Sequence, residues 1–444
     1  MDFDTGFAEE LTPNQVFYAI IEKTAEAGGC SGRRMFLRGR QVCACTRAKG
    51  VSMRIDIPDY AAEVLQRLND SGFSAFVVGG CLRDILLGRR PGDWDICTSA
   101  LPEESRACFA DKQIVDTGAR HGTIGVVFGK SICVEVTTYR IDGRYIDGRH
   151  PQQVTFTRDL YRDLARRDFT MNAIAWHPKT GFVDPFGGRQ AICEKRISTV
   201  GDPRRRFAED ALRILRGLRF ASVLGFSLEP ETIRGMEEGK KGLTRISAER
   251  IQAEFSRLLL GSQADSVLCD FAAILREAIP DLQPVKVSGL PPELSLRLAA
   301  LFPERTEETL RRLRYDRETI RTAAALARLN REKPPADRRE IQKWLRREGR
   351  HTMELYMAAR GRTRELQDIF DSGACWSLRQ LAVSGRDLIE SGIPPGAQIG
   401  RILERLLDSV IEGKAENRRE ALLSMVVEFE TELQEETGER GKRQ

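Results

Sequence analysis

The chain of 444 residues is too long for a single hydrophobic core and should divide into roughly three or four domains. Its 41% hydrophobic residues suit a globular protein, and no apolar stretch approaches the roughly 20 residues that a membrane span needs. The formal net charge is only +5, so overall charge identifies no partner, but residues 301–350 hold 15 basic and nine acidic side chains.

The ten cysteines are scattered without a CxxC pair, and the chain has only four histidines. This pattern favours neither a zinc site nor a disulfide framework. We therefore expect mostly buried, reduced thiols in a cytoplasmic protein.

The first 52 residues differ from the rest, because they hold three cysteines and several basic residues without a clear helix or strand period. The apolar stretch 16–21 is too short for the core of a signal peptide, and acidic residues precede it. We expect residues 1–52 to be an extension that reflects either a mis-assigned start or a poorly ordered segment.

From Met53 onward, the hydrophobic pattern predicts short alternating helices and strands. In chain order they are helix 61–69, strand 75–78, helix 82–87, and strands 93–97, 124–128 and 132–137.

The junction between the first two strands carries the strongest signal for function. Gly79 and Gly80 can take positive φ and let backbone N–H groups approach phosphate oxygens, and Arg83 follows where a phosphate would lie. Asp93 and Asp95 at positions i and i+2 of a strand should project to the same side, as oxygen ligands suited to Mg²⁺. This order of residues predicts a nucleoside triphosphate held over magnesium.

The junction reads VGGCLRDILLGRR and then DWD. It resembles the nucleotidyltransferase motif of the DNA polymerase beta superfamily. The form GG-x-x-RD followed by D-x-D is the one shared by class II CCA-adding enzymes and bacterial poly(A) polymerases.

Two features follow before the next motif. Glu135 lies among apolar strand residues, where an unpaired acid is costly to bury, so we expect a third site carboxylate; the alternative is a solvent-facing residue on an edge strand. Residues 141–151 combine glycines, charges and a final proline, which predicts a mobile loop.

The string LARRDFTMNA at 164–173 resembles the family motif RRDFTxNA. Arg167 can hold triphosphate oxygens as a bidentate fork, and Asp168 can accept a hydrogen bond from a ribose 2′-hydroxyl. Asn172 could support the same turn. An RRD triplet alone would also fit a solvated helix face, but the full string after D-x-D indicates a ribonucleotide site.

The string FAEDALRILRGLRF at 207–220 resembles the family's EDxxR motif, which acts as an amino-acid template for the incoming base. Asp210 accepts hydrogen bonds and Arg213 donates them, so the pair can meet the edges of cytosine or adenine. We expect both on one face of a continuous helix, as i,i+3 neighbours. That helix should also bury three leucines, Leu212, Leu215 and Leu218.

The resemblance also assigns Arg216 and Arg219 to nucleotide contacts. Three-residue steps along a helix drift by about 60° each, so Arg219 should point nearly opposite to Asp210. Bracing the neck is the alternative role for Arg219.

Beyond residue 265 the pattern is helical, with segments at 294–300, 309–313 and 320–329 and a break at Pro334 and Pro335. The basic bias here suits the phosphates of a structured RNA, although a solvated helical surface would look similar. Residues 377–403 resemble the tail domain of bacterial CCA-adding enzymes, so the resemblance spans about residues 53–428.

This resemblance implies an α+β fold, in which a polymerase-beta-like nucleotidyltransferase head of mixed sheet and helices precedes an all-α neck, body and tail. We expect the following divisions: extension 1–52, head 53–193, neck 194–265, body 266–350 and tail 351–444.

The resemblance further implies an enzyme that adds C, C and A to the 3′ end of tRNA from CTP and ATP, with release of pyrophosphate. Asp93 and Asp95, with Glu135, would hold two Mg²⁺ ions. The expected partners are tRNA and the two nucleotides, with no membrane; the oligomeric state is not indicated.

Several related activities stay open from sequence. A poly(A) polymerase would share all three motifs, but the tail resemblance favours tRNA. A CC-adding enzyme should lack the loop at 141–151, whereas an A-adding enzyme keeps nearly the same motifs. An inactive RNA-binding relative is disfavoured by intact Asp93 and Asp95. No HD-type metal pair follows the neck, so no phosphatase or phosphodiesterase activity is predicted.

Overall fold

The computed structural model of the chain describes residues 55–118, 122–129, 132–143, 154–427 and 429. The predictions for residues 1–52, for most of the loop 141–151 and for the end of the tail fall outside these residues.

The head alternates short strands and helices, as the hydrophobic pattern predicts. Its elements are α1 (Asp59–Asp70), β1 (Ala75–Val78), α2 (Gly80–Leu86), β2 (Asp95–Thr98), α3 (Pro102–Cys108), β3 (Gln113–Gly118), β4 (Thr123–Phe128), β5 (Ile132–Thr138), β6 (Arg140–Asp142), β7 (Val154–Phe156), α4 (Leu160–Ala165), β8 (Ala175–His177), β9 (Gly181–Val183) and α5 (Gly188–Cys193). A 3₁₀ turn at Thr170–Asn172 precedes β8.

Helix α1 shows why these elements form where they do. Its buried residues are Ala61, Val64, Leu65 and Leu68, at the i, i+3, i+4 and i+7 spacing of one helix face. They pack into the same core as the sheet residues Val77 and Ile96. The polar face of the helix stays outward.

Seven strands form one mixed sheet in the order β3-β4-β5-β2-β1-β8-β9. Strands β2 and β5 run parallel, and the other neighbours are antiparallel. The predicted mixed sheet is therefore confirmed. In the β2–β5 register Asp95 lies opposite Glu135.

Strand β2 begins later than predicted, at Asp95 rather than Asp93. Pairing to β5 begins at Asp95, so Asp93 lies in the approach to the strand. The burial pattern still alternates, because Trp94 and Ile96 join the core while Asp93 is exposed and Asp95 half-buried. Neither aspartate belongs to the core, but Asp93 lies outside the strand, so the shared side of the two carboxylates stays a prediction.

The neck contains a short parallel pair of strands. Its elements are β10 (Arg196–Ile197), α6 (Pro203–Glu209), α7 (Leu212–Leu224), β11 (Ser227–Leu228), α8 (Pro230–Gly239), α9 (Ala248–Leu259), α10 (Ala264–Asp270) and α11 (Ala272–Ala278). A 3₁₀ turn at Lys240–Arg245 joins α8 to α9. One hydrophobic core runs from Ile55 in the head through the neck to Ala323.

The body and tail are helical, and the three predicted body helices are confirmed with slightly different ends. The helices are α12 (Leu294–Leu301), α13 (Thr306–Arg312), α14 (Arg317–Arg331), α15 (Arg338–Glu348), α16 (Arg350–Ala358), α17 (Thr363–Asp371), α18 (Gly385–Glu390), α19 (Ala397–Ile411) and α20 (Arg419–Ser424). The larger hydrophobic clusters here lie between Leu296 and Ile369 and between Val383 and Val426. The division into head, neck, body and tail stays a proposal.

The cysteines correct one expectation. Of the seven described cysteines, all free thiols, only Cys81, Cys97 and Cys375 are buried, whereas Cys133 and Cys269 are exposed. The prediction that most of the cysteines are buried is therefore wrong for the described residues. Among those same residues, no helix has the length and apolar character needed to cross a membrane.

Candidate active site

A cleft of about 470 Å³ lies where the glycine turn, the RRDFTMNA segment and the neck helix α7 meet. Seven arginines line it, together with three aspartates. The lining residues are Gly79, Gly80, Arg83, Asp95, Arg166, Arg167, Asp168, Asn172, Asp210, Leu212, Arg213, Arg216, Arg219, Phe220 and Arg250. This excess of fixed cations suits a polyanionic ligand such as a triphosphate.

The cleft brings together eleven of the thirteen predicted site residues, although their motifs are far apart in the chain. Asp93 and Glu135 are not among the lining residues. Glu135 nevertheless lies beside Asp95, because the two are paired in the parallel β2–β5 register.

Of the two glycines in the turn, only Gly79 adopts the positive φ that the sequence predicted. Gly79 has φ +85°, and a Cβ there would lie 3.2 Å from Nη1 of Arg167 and 3.9 Å from Oδ2 of Asp95. Only glycine satisfies both the conformation and this close approach. Gly80 does not use positive φ, since it is already the first residue of helix α2.

Arg83 is held at the cleft by several contacts. Its Nη1 donates to Oδ1 of Asn172 at 3.0 Å, and its Nη2 forms an ion pair with Asp84 at 2.9 Å. The guanidinium carbon lies 5.1 Å from the ring centroid of Phe220, within cation–π range. Asn172 also donates from Nδ2 to Asp168 at 3.2 Å, so it supports the turn as predicted.

The carboxylates beside the cleft repel one another. Burial raises the pKa of Asp95 to about 6; Glu135 and Asp93 add to the rise, and Arg167 opposes it. Carboxylate oxygens are donors that suit a hard divalent cation, whose charge would relieve the repulsion on Asp95. Within the described residues, no group of three or more His, Cys, Asp or Glu side chains is arranged to hold a metal ion.

The burial argument for Glu135 and the edge-strand part of the alternative both need correction, whereas its role as a third site carboxylate stays a prediction. The side chain is exposed, so burial of an unpaired acid does not arise. Strand β5 is also not an edge strand, since it lies between β4 and β2. Glu135 is on the face of the sheet opposite to the buried Val134 and Val136, which places it beside Asp95.

Arg167 forms an ion pair with the carboxylate of Asp163, which was not among the predicted site residues. Asp163, whose side chain is fully buried, forms ion pairs with Arg166 at 2.9 Å and Arg167 at 3.3 Å. Burial alone would raise the pKa of Asp163, but the charges of Arg166 and Arg167 outweigh it and lower that pKa. The i,i+3 and i,i+4 spacing in DLARR was the available signal.

Asp168 connects the head to the neck. Its Oδ2 accepts from Nε of Arg216 at 2.7 Å, and its Oδ1 accepts from the Phe169 backbone N–H at 2.8 Å and from Asn172. Burial would raise the pKa of Asp168, but the charge of Arg216 and these hydrogen bonds lower it to about 2. Asp168 lines the cleft as predicted, with its oxygens already bonded to three protein groups.

The neck helix is interrupted at the segment that resembles the EDxxR motif, so the predicted continuous helix over 207–220 is wrong. Helix α6 ends at Glu209 and α7 begins at Leu212, with Asp210 extended at φ −149° and ψ 105°. The Oδ1 atom of Asp210 accepts from the Leu212 N–H at 3.0 Å. Such a local side-chain bond competes with helical continuation and starts a new helix instead.

Two consequences follow for the motif. Asp210 and Arg213 are not i,i+3 neighbours on one helix face; Asp210 pairs with Arg250 at 2.6 Å and Arg213 with Glu209 at 2.7 Å. The predicted opposition of Arg219 to Asp210 is also wrong, because Asp210 lies outside the helix and both residues line the cleft. The predicted burial of Leu212, Leu215 and Leu218 is confirmed.

Arg219 also braces the neck, as the alternative interpretation proposed. It forms an ion pair with Glu254 of α9 at 2.6 Å, and its guanidinium carbon lies 4.0 Å from the Phe220 ring centroid. Glu254 also lies 3.6 Å from Arg216.

Sequence reasoning missed four residues that shape this site: Asp163, Phe220, Arg250 and Glu254. Phe220 ends the motif string, but its contact with arginines from both head and neck depends on tertiary packing. Arg250 and Glu254 lie on α9, outside the motifs used, and the sequence alone offered no signal for them.

Three family models match the chain. The poly(A) polymerase head domain matches residues 75–198, the probable RNA and SrmB-binding site of polymerase A matches 225–272, and a putative tRNA nucleotidyltransferase domain 2 matches 294–426. The fold and the cleft thus define a nucleotidyltransferase.

Curated relatives and solved structures narrow this class. CCA-adding enzymes of Geobacillus sp. (strain WCH70) and Geobacillus stearothermophilus are 35% and 36% identical, covering 82% and 83% of this chain and 95% and 96% of theirs. The crystal structure of the Bacillus stearothermophilus CCA-adding enzyme in complex with CTP has a TM-score of 0.71 at 32% identity, covering 86% of this chain and 100% of that one. The chain belongs to the CCA-adding enzyme family.

More distant structures share the fold. The Thermotoga maritima CCA-adding enzyme complexed with tRNA has a TM-score of 0.60 at 19% identity, and covers 84% of this chain and 96% of that one.

The Asp168–Arg216 pair makes a testable contribution to stability. We expect Asp168→Asn to lower the free energy of unfolding by about 2 kcal/mol at pH 7, because it removes the 2.7 Å ion pair of Arg216 and leaves that guanidinium only the 3.6 Å contact with Glu254. Urea unfolding followed by circular dichroism measures this, with Asp70→Asn on an exposed site as the control.

The same pair predicts a pH dependence. A carboxylate with a lowered folded-state pKa contributes stability above its unfolded pKa and loses it as pH falls toward the folded value. The difference between wild type and Asp168→Asn should therefore be constant near neutrality and shrink as pH falls from about 4 toward 2. Equal stabilities at pH 7 would contradict the assignment.

Proposed function

We propose that this protein adds C, C and A to the 3′ end of tRNA from CTP and ATP, releasing pyrophosphate. The observation that carries this proposal is the cleft itself, where Asp210 and Arg213 meet the phosphate-binding arginines and Asp95. The relatives support it, since they are CCA-adding enzymes over nearly their full length.

The arginines of the head would bind the triphosphate. Arg83 and Arg167 both lie at the glycine turn: a Cβ on Gly79 would be 3.2 Å from Nη1 of Arg167, and one on Gly80 would be 3.6 Å from Nη2 of Arg83. Guanidinium groups offer a planar fork for phosphate oxygens, and counter-ions behind both arginines restrict their motion. The phosphates would thus be oriented before the acceptor arrives, which lowers the entropic part of the barrier.

The neck would select the base. The carboxylate of Asp210 can accept a hydrogen bond from the exocyclic amino group of cytosine or adenine, and Arg213 can donate to ring or carbonyl acceptors. Uracil and guanine present a carbonyl oxygen where the other bases present that amino group, and a carboxylate cannot donate to it. One pair of side chains therefore suits both correct nucleotides. Arg216 and Arg219, farther along α7, would contact the same nucleotide.

Asp93 and Asp95, with Glu135 beside Asp95, would hold two Mg²⁺ ions. The raised pKa of Asp95 among neighbouring carboxylates supports a cation there, and carboxylate oxygens are ligands that Mg²⁺ accepts. Bound there, Mg²⁺ would lower the pKa of the tRNA 3′-hydroxyl and stabilise charge on the triphosphate and pyrophosphate. Attack by that hydroxyl on the α-phosphorus needs no covalent enzyme intermediate.

Asp168 and Asn172 would act on the ribose side. Both line the cleft, and their mutual hydrogen bond fixes the turn between Arg167 and the neck. A carboxylate at this position can accept from a 2′-hydroxyl, which favours ribonucleotides over deoxyribonucleotides.

The body and tail would bind the tRNA acceptor. A second cleft of about 520 Å³ in the body is lined by five arginines and two glutamates. Some of these arginines pair with acids, as Arg311 does with Glu307 and Arg328 with Glu348. The remaining positive charge suits RNA phosphates.

We also place the enzyme in the cytoplasm. The seven described cysteines are free thiols, which fits a reducing compartment.

Stepwise extension of tRNA transcripts tests the proposed function. Purified protein should extend transcripts that end at the discriminator base by C, C and A, those ending at C by C and A, and those ending at CC by A. Each labelled nucleotide is supplied separately and in combination. Extension of only the CC-ended transcript, by ATP alone, would contradict full CCA synthesis and indicate an A-adding enzyme.

Asp95→Ala should reduce labelling by at least about 10³-fold, because it removes a proposed metal ligand beside the reacting phosphate. Affinity for tRNA, measured by filter binding, should change little, since the body and tail are distant in sequence from this strand. Asp270→Ala, at an exposed position ending α10, is the matched control. Full activity of Asp95→Ala would refute the metal assignment.

A further inference from the structure

Arg250, on helix α9, forms an ion pair with Asp210, the carboxylate that is proposed to recognise the base. Nη2 of Arg250 on α9 donates to Oδ2 of Asp210 at 2.6 Å, and its Nη1 donates to Oδ1 at 3.3 Å. Both side chains are largely buried, with 22% and 15% exposed. A two-point contact of this type sets the plane of a carboxylate as well as its position.

The Leu212 N–H adds a third contact, at 3.0 Å from Oδ1 of Asp210. An ionised carboxylate offers about four lone-pair sites. The protein thus uses three of these lone-pair sites. The remaining site lets the Asp210 carboxylate, which lines the cleft, accept a hydrogen bond from a ligand.

The two groups that are proposed to contact the base have different partners in the protein. Asp210 and Arg213 are opposite charges three residues apart, and a direct ion pair between them would consume the acceptor and the donor that a base must meet. Instead, Arg213 donates to Glu209 at 2.7 Å and to the Arg206 carbonyl at 3.0 Å, while Asp210 pairs with Arg250. Each group is anchored by its own partner.

We propose that Arg250 is a positioning residue that determines nucleotide specificity, because it fixes the Asp210 carboxylate as an acceptor directed at the base. This inference rests on the proposed function. Its consequence is that rejection of UTP and GTP depends on a residue that does not itself read the base. Without Arg250, Asp210 can turn toward Arg213, and the amino groups of cytosine and adenine lose their acceptor.

The test compares kcat/KM for CTP and for UTP on a tRNA transcript ending at the discriminator base. We expect Arg250→Met to lower the preference for CTP over UTP by at least about tenfold, mainly through a higher KM for CTP. Arg250→Lys keeps the charge without the fork and should recover part of the preference. Arg257→Met, two turns along the same helix and exposed, should behave as wild type.

A double variant separates positioning from direct contact. If Arg250 acts through Asp210, Asp210→Asn with Arg250→Met should be no less selective than Asp210→Asn alone. Thermal unfolding of each variant shows whether the fold survives, and Arg250→Lys supplies the comparison if Arg250→Met does not fold.

Two outcomes would overturn the inference. One is an equal fall in kcat/KM for CTP and UTP, with the preference unchanged. The other is additive loss in the double variant. Either would mean that Arg250 binds the nucleotide itself or supports only the fold. Wild-type protein that incorporates no CMP would instead contradict the proposed function, so the two failures are distinguishable.

Discussion

The partly buried ion pair between Asp168 and Arg216 joins the two halves of the cleft. Asp168 follows Arg167, which is proposed to bind phosphate, and Arg216 lies on the helix of Arg213, which is proposed to contact the base. Their 2.7 Å contact thus links the two proposed parts of the site. Packing reinforces the joint. Phe169 meets Phe220 edge-on at 5.8 Å, and a Cβ on Gly217 would lie 3.0 Å from the Phe169 ring. Helix α7 therefore needs glycine where it passes closest to the head.

Acidic side chains form ion pairs with the arginines that line the cleft and hold them in position. Asp163 holds Arg166 and Arg167, Glu209 holds Arg213, and Glu254 holds Arg219. Buried guanidinium groups without such partners would be costly, and the partners also limit their rotation. The same acids leave an excess of cations facing the ligand. Because these charged side chains are already in place, they need to rearrange little when the triphosphate binds.

Local patterns in the sequence predicted the elements that depend on local spacing. Strand 75–78, helix α1 and the body helices follow from apolar periodicity, and the glycine turn follows from its motif. The break at Asp210 escaped because Phe207, Ala211 and Leu215 are all buried at a four-residue spacing that also fits one continuous helix. Arg250 and Glu254 escaped because their roles come from side chains that meet only after folding, and hydrophobic periodicity carries no record of such pairs. Asp163 is different, because its i,i+3 and i,i+4 spacing to Arg166 and Arg167 is visible in the sequence.

The central claim is that protein side chains in one cleft recognise both cytosine and adenine. Equilibrium binding of labelled CTP in the presence of unlabelled ATP tests it most directly. The claim predicts one CTP bound per chain and complete displacement by ATP, because both nucleotides need the same arginines and the same Asp210. Bound CTP that persists at saturating ATP would contradict it, since each nucleotide would then have a site of its own.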